Sequence, residues 1–476
     1  MKDIKHLKIK QIYVLYVIGL VLLNLIRIFD NNFWGDEAYT ILLLKSNWIE
    51  MINMTANDVH PPLYYIISKI ICSVVGFNGI GYHFSSFLPY ILMIILAVTI
   101  VRKLYGEIAS GVFISFASLL RSSLMYNVEV RMYSWGALFL LMSFLSMYRI
   151  LQDNKKNSWI IFTISSLAAA YTHYYCLLSV AFFYIALIMY TVIRKKENIN
   201  RIIFVCITTV AAYLPWLSVL FKTFQRTSTS KGFWQVEIPS FIECIRYMFD
   251  GRFDVILVLI FLISVSEFFI RTFLKHETDN GEIIEKFWVF SGILSIIGTS
   301  LVGIAVSYFI RPMFITRYLY PVSTIAWLTF SISIAKCKLK QLYVISTLIL
   351  LWGYGFPHYL VLYRYEYQSN KNLEKTLALT CEKIESDDMI LSDVSHIAWT
   401  ISKLYYQENE VEFLDWDNFI TIEPNKDYWF ILEEELDNVT GEKISKANAD
   451  YDLIVEDGVL GTMNVWIYKV NSKCYK

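Results

Sequence analysis

Residues 11–40 read QIYVLYVIGLVLLNLIRIFDNNFWGDEAYT. Apolar side chains run almost unbroken from Ile12 to Ile28, close to the ~20 residues that carry a helix across a bilayer. Lys2, Lys5, Lys8 and Lys10 precede the run and no small-residue cleavage site follows it, so it predicts a retained span and not a removed signal peptide. The chain then turns polar, and the adjacent carboxylates of Asp36 and Glu37 follow within a few residues. These thirty residues predict a membrane protein with polar chemistry at the far end of its first helix.

Composition agrees over the whole length. Of 476 residues, 56% are hydrophobic and 18% charged, whereas soluble domains lie near ~45–50% and ~25%. Forty-two basic residues balance forty-two acidic ones, which removes the basic footprint of a nucleic-acid binder. Seven cysteines without a CxxC pair give neither a zinc signature nor an even disulfide framework. Along the chain the neutral total separates: residues 361–476 carry 11 basic and 23 acidic residues, and the rest carry 31 and 19. The expected division is a transmembrane catalytic domain, 1–361, with a first outer loop at 30–83, and a small soluble domain, 362–476. In the latter, β-rich runs (Met389–Val394, Trp429–Leu432, Val465–Val470) accompany an amphipathic stretch from Asn372 to Ile384, which predicts an α/β fold.

Spans are expected to begin near Gln11, Phe84, Ile108, Met132, Trp159, Tyr175, Ile202, Phe253, Phe287, Tyr318 and Leu342, about eleven in all. If they alternate from a cytoplasmic N-terminus, every inner loop is basic: Arg102 and Lys103; Arg149, Lys155 and Lys156; Arg194, Lys195, Lys196 and Arg201; Arg271, Lys275 and Lys286; Lys336, Lys338 and Lys340. This parity requires the apolar stretch Leu63–Val75 to lie on the outer face, and it places the C-terminal domain outside the cell. Cys381 and Cys474 would both be extracytoplasmic, and sequence does not say whether they pair. The outer segment 222–252 is basic, with Lys222, Arg226, Lys231, Arg246 and Arg252; either the threading fails there or these cations have anionic partners. Glu267, near an inner end, is expected to pair with Arg271 one turn on.

The same threading gathers the remaining ionisable residues at one face. Asp36 and Glu37 suit a general base beside the membrane, or equally an N-terminal cap for a helix over Ala38–Met51. Asp58 and His60 precede Pro61 and Pro62, which fix the backbone and open the Leu63 helix, as prolines do in a first turn. Glu129 and Arg131 open the Met132 span. A guanidinium there suits bidentate contact with phosphate, or snorkels to the interface. His173 lies among aromatic residues between two spans, a common position for an interfacial belt residue. Arg311 and Arg317, ahead of the Tyr318 span, are able to hold a lipid phosphate or to act as anchors.

Taken in order, Gly35-Asp36-Glu37-Ala38-Tyr39, His60-Pro61-Pro62-Leu63-Tyr64-Tyr65, Glu129-Val130-Arg131-Met132-Tyr133, Thr172-His173-Tyr174 and Arg317-Tyr318-Leu319-Tyr320-Pro321 resemble the polytopic GT-C glycosyltransferases that use polyprenyl-phosphate sugars, the protein O-mannosyltransferase and aminoarabinose-transferase-like group. The resemblance covers about two thirds of the chain and excludes the C-terminal domain. It implies an α-helical GT-C fold and an inverting transfer of sugar, at the extracytoplasmic face, from a polyprenyl-phosphate donor to a lipid, glycan or protein acceptor. By position it implies Asp36 as acceptor-activating base with Glu37 beside it, and Asp58 and His60 as residues shaping the site. It further implies Arg131, Arg317 and Arg311 as contacts of the donor phosphate, with Glu129, His173 and Tyr64 nearby. No cofactor is required by the sequence, and no residue set is assigned to a divalent metal. The rival reading is a transporter or flippase. Against it, the mid-span positions are nearly all apolar and no repeated halves are visible.

Overall fold

The structure, a computed structural model, describes residues 2–229, 237–273, 279–392, 396–413, 428–433 and 451–472. Lys231, Lys275, Val394 and Cys474 lie outside the described residues, as do the side chains of Lys2, Lys5, Lys8 and Arg271. The helices are α1 (Lys2–Leu25), α2 (Gly35–Lys45), α3 (Trp48–Ala56), α4 (Leu63–Val75), α5 (Gly79–Leu96), α6 (Arg102–Leu119), α7 (Arg121–Tyr126), α8 (Tyr133–Asp153) and α9 (Lys156–Ala170). They continue with α10 (Tyr174–Arg194), α11 (Ile199–Thr229), α12 (Phe241–Tyr247), α13 (Asp254–Phe273), α14 (Asn280–Phe309), α15 (Tyr320–Lys336), α16 (Lys340–Cys381) and α17 (His396–Tyr405). The strands are β1 (Met389–Ser392), β2 (Glu410–Phe413), β3 (Tyr428–Leu432), β4 (Tyr451–Leu460) and β5 (Met463–Ser472).

Two compact units emerge, and they do not follow chain order. The first comprises Met1–Ile28, Trp48–Gly76 and His83–Leu360; the second comprises Phe29–Asn47, Phe77–Tyr82 and Val361–Lys476. The outer loop expected at 30–83 is therefore divided between them, and its first part groups with the C-terminal region.

In the first unit, helices long and apolar enough to cross a membrane number eight among the described residues of the chain, the last continuing into the second unit. The chain is a multi-pass membrane protein. About eleven spans were expected from sequence, and their runs map onto the helices as follows. The runs starting near Phe84 and Ile108 form one helical stretch, Gly79–Leu119, interrupted at Gly106, whose φ of +84° suits a residue without a side chain. Helix α9, from the Trp159 run, has 15 residues and is short for a span. Helix α13, from the Phe253 run, has 20 residues, long enough for a span, though it is not among the eight counted over the described residues. Helix α4, at 13 residues, is also shorter than a span; it stops at Gly76, whose φ is +119° and whose N–H donates to the Cys72 carbonyl at 2.8 Å.

Burial sorts the spans. Buried residues make up 94% of the apolar window in Thr316–Lys336 and 83% in Tyr133–Asp153, but 22% in Ile199–Arg226 and 28% in Lys10–Phe29. Helices α15 and α8 are thus central, while α11 and α1 expose large apolar side chains such as Phe204, Ile207, Ile12 and Leu15, a pattern suited to hydrocarbon contact. Several hydroxyl groups of central α15 return to its own backbone, Ser331 to the Trp327 carbonyl at 2.7 Å and Ser333 to Thr329 at 2.8 Å, while Thr329 Oγ1 is buried without a hydrogen-bond partner among the described residues. Satisfied in this way, the serines let small residues pack closely.

Two charge questions from the sequence find answers here. Within the basic segment 222–252, Arg246 Nε has an anionic partner in Asp254 Oδ2 at 2.7 Å, whereas Arg226 Nη2 donates to the neutral backbone carbonyl of Asp58 at 2.9 Å. Glu267 Oε1 accepts the backbone N–H of Lys338 at 2.7 Å, so it secures the start of α16, a contact that the expected pairing with Arg271 did not foresee.

In the second unit the sheet has strand order β2-β1-β3-β5-β4 among the described residues. β1 runs parallel to β2 and β3, and β5 runs antiparallel to β3 and β4. The three runs read from sequence fall on β1, β3 and β5; β2, β4 and α17 were not read. The stretch expected as a separate helix from Asn372 to Ile384 continues α16, one helix of 42 residues. Helix α17 packs on α2, and the contact is close at Gly35, where a Cβ would lie 2.5 Å from Ile397 Cγ2. At the β4–β5 turn, Gly461 has a φ of +60° and faces the Phe33 carbonyl too closely for a Cβ. These approaches explain why residues 29–47 belong with the C-terminal sheet.

Candidate active site

The turn before α4 is held at both ends. Leu63 N–H, the donor that follows two prolines, is bonded to the Tyr171 carbonyl at 3.1 Å, and the Asp58 carbonyl accepts from Arg226 at 2.9 Å and Thr223 at 3.4 Å. Asp58 stays half-buried, while His60, between these anchors, is 6% exposed. Its ring lies 5.5 Å from that of His173, tilted by 30°. Tyr64, one turn on, is fully buried with its hydroxyl 3.2 Å from Ser86 Oγ.

His173 is the N-cap of α10. Its Nδ1 accepts the Tyr175 backbone N–H at 3.2 Å, an assignment that puts the ring proton on Nε2. That Nε2 is buried without a hydrogen-bond partner among the described residues. Tyr318 and Tyr133 surround the ring at 5.2 and 5.8 Å, and Tyr175 stacks on Tyr318 at 5.3 Å. The capping role was not read from sequence, where His173 stood as a belt residue or a site candidate.

Arg131 and Arg317 supply the positive field. Arg131 is 4% exposed, in a tight turn where its N–H meets the Glu129 carbonyl at 2.6 Å; Glu129 is buried, and Arg317 is half-buried ahead of α15. Burial lowers the His60 pKa well below its ordinary value, and Arg131, His173 and Arg317 add to the effect. Burial likewise lowers His173, to about 3, with Arg131 and Arg317 reinforcing it. Both rings are therefore neutral near pH 7. Arg311 is buried just past α14, with its N–H on the Val306 carbonyl at 3.3 Å.

These shifts give a stability prediction whose sign is fixed by linkage. The unfolded chain protonates its histidines below about pH 6.5 while the folded chain does not. The stabilisation is complete above that pH and is lost as pH falls toward the lowered folded values. The melting temperature of the purified protein should drop between about pH 7 and pH 5, and His173→Asn, which keeps a capping acceptor, should show a smaller drop. An equal drop in both would remove His173 as its source.

His60, His173, Tyr175 and Tyr318 line one cavity of about 260 Å³, whose other walls include Val59 and Phe224. A second, almost wholly apolar cavity of about 380 Å³ shares Leu177 and Leu220 with it and is walled by α9, α10 and α11. Two neutral histidines that feel the charges of Arg131 and Arg317 thus line a cavity that adjoins space suited to hydrocarbon. Among the described residues, no group of three or more His, Cys, Asp or Glu side chains is placed to hold a metal ion.

Asp36 and Glu37 belong to the other unit. The helix expected over Ala38–Met51 starts at Gly35 and ends at Lys45, and α3 begins separately at Trp48. Glu37, not Asp36, takes the capping role: its Oε2 accepts the Trp34 N–H at 3.2 Å, and the side chain is buried. Asp36 is half-buried in the first turn.

Comparison with known proteins follows these positions. Residues 59–220, about a third of the chain, match the model of the dolichyl-phosphate-mannose-protein mannosyltransferase family. The matched stretch includes His60, Arg131 and His173. No curated protein matches the chain significantly in sequence. Among solved structures, ArnT from Cupriavidus metallidurans in the apo state matches with a TM-score of 0.65 at 10% identity, over 96% of this chain and 98% of that one. The same protein bound to undecaprenyl phosphate matches with a TM-score of 0.61, also at 10% identity and over the same shares of the two chains. The resemblance read from the motifs therefore holds: the chain has the GT-C fold of ArnT and, over residues 59–220, the sequence pattern of the dolichyl-phosphate-mannose-protein mannosyltransferases.

Proposed function

We propose that this chain is a membrane glycosyltransferase that moves a sugar from a polyprenyl-phosphate donor to an acceptor on the extracytoplasmic face. The observation that carries the reading is that His60 and His173, both within the field of Arg131 and Arg317, line an apolar cavity. A donor with an anionic head and a hydrocarbon tail needs both parts. ArnT, the structural relative, has been solved with undecaprenyl phosphate, which is such a lipid without its sugar. In this assignment the two guanidiniums hold the phosphate, with Arg311 as a further contact, and the Nε2–H of His173 donates to a phosphate oxygen. The tail follows the cavity past Leu177 and Leu220.

The reaction needs little else. The acceptor's nucleophilic oxygen or nitrogen attacks the anomeric carbon while the carbon–oxygen bond to phosphate breaks, so polyprenyl phosphate leaves with the bonding electrons and configuration inverts. Asp36 takes the acceptor proton as general base, Glu37 orders the turn that carries it, and Asp58 and Tyr64 shape the donor side. Arginines poised on the leaving phosphate stabilise the charge that develops there. Purified protein given polyprenyl-phosphate-linked sugars and envelope lipids should release polyprenyl phosphate in step with sugar transfer, and no release with any such donor would overturn the reading.

The proposed topology puts the N-terminus in the cytoplasm and the C-terminal unit outside. Native Cys381 is exposed and serves as the probe. A variant keeping Cys381 as its single cysteine should react with a membrane-impermeant maleimide in intact cells; reaction only after lysis would reverse the assignment.

A further inference from the structure

A buried polar network lies behind the proposed phosphate site. Asn24 in α1, Asn127 between α7 and α8, and Tyr320 at the start of α15 are all fully buried. Asn127 Nδ2 donates to Asn24 Oδ1 at 3.0 Å and to the Ala117 carbonyl at 2.9 Å, and its Oδ1 accepts from the Tyr320 hydroxyl at 3.0 Å. Asn24 Nδ2 donates in turn to the carbonyls of Leu20 at 3.0 Å and Ser118 at 3.2 Å. Both amides therefore use each N–H and have a donor on each oxygen, so the network is complete.

The position of Asn127 matters more than its burial. It stands four residues before Arg131, in a segment also fixed by His83, whose Nδ1–H donates to the Val128 carbonyl at 2.8 Å. Its partner Tyr320 stands three residues after Arg317. One side-chain amide thus joins the two segments that carry the guanidiniums, which are otherwise far apart in sequence. Buried polar networks in an apolar bundle specify geometry more than they add stability. We infer that Asn127 and Tyr320 are positioning residues that set the separation of Arg131 and Arg317 for the donor phosphate. The inference rests on the proposed function, in which those arginines hold that phosphate.

The test is a double-mutant cycle on the full chain in lipid nanodiscs, with undecaprenyl phosphate as the probe. Tyr320→Phe keeps the ring and deletes the hydroxyl, so folding is expected to survive. It should weaken binding about tenfold in the native background, but by less than about twofold when Arg317 is already Lys, because no guanidinium is then left there to position. Asn127→Asp keeps the acceptor for Tyr320 and loses the link to Asn24; it should weaken binding in the same arginine-dependent way. A purely structural role would give the same factor in both backgrounds, and that result, or no weakening at all, overturns the inference. If Arg317→Lys and Arg131→Lys themselves leave binding unchanged, the phosphate-site reading fails, and the inference with it.

Discussion

Asp36→Asn is expected to lower kcat for sugar transfer by a factor of about 10²–10⁴, the usual contribution of a general base, with donor binding little changed. The substitution is nearly isosteric. The local hydrogen bond that Asp36 makes through its carbonyl, accepted from Thr40 Oγ1 at 2.9 Å, is unaffected because it belongs to the backbone. Glu37, which caps the helix through Trp34, is also untouched. A loss of turnover with unchanged melting temperature and unchanged undecaprenyl phosphate affinity would place Asp36 in the chemical step. Wild-type turnover in this variant would remove Asp36 as the base and return it to a helix-start role.

Arg131→Ala is expected to weaken undecaprenyl phosphate binding by about 10–100-fold, since a hydrogen bond to a charged group is worth roughly 1.5–3 kcal/mol. Arg131→Lys should fall between, because lysine keeps the charge but not the planar fork that fits phosphate at two points. The site favours a large effect: Arg131 is 4% exposed, beside two histidines held neutral partly by its own charge. Equilibrium binding to nanodisc-embedded protein reads this directly. If alanine and native protein bind alike, Arg131 is a structural cation and the phosphate lies elsewhere.

The apolar helices were legible because apolar run length and polar interruption are local properties of sequence. How the apolar runs join into helices was not. Whether Phe84 and Ile108 begin one helical run or two depends on the bend at Gly106, and Trp159 opens a helix that hydropathy extends beyond its 15 residues. The proposed site was legible where the ionisable residues are sparse: His60, Arg131, His173 and Arg317 stand out against apolar surroundings, and in the structure both histidines feel both arginines. Tyr133 and Tyr318, which surround His173, stood within the quoted motifs but drew no role, because tyrosine is common here, 33 in the chain. Asn127 carried a faint signal, an amide two residues before Glu129, but its partners Asn24 and Tyr320 are supplied only by tertiary packing. The grouping of residues 29–47 with the C-terminal sheet had no sequence signal at all, because Gly35 against Ile397 and Gly461 against Phe33 are contacts across hundreds of residues.

The most direct measurement is a cryo-EM structure of the full chain in nanodiscs with bound undecaprenyl phosphate. The expected result is phosphate density within hydrogen-bond reach of both Arg131 and Arg317, with the prenyl chain running past Leu177 and Leu220. Phosphate density away from both arginines, with the cavity beside His60 and His173 unoccupied by lipid, would contradict the proposed donor site.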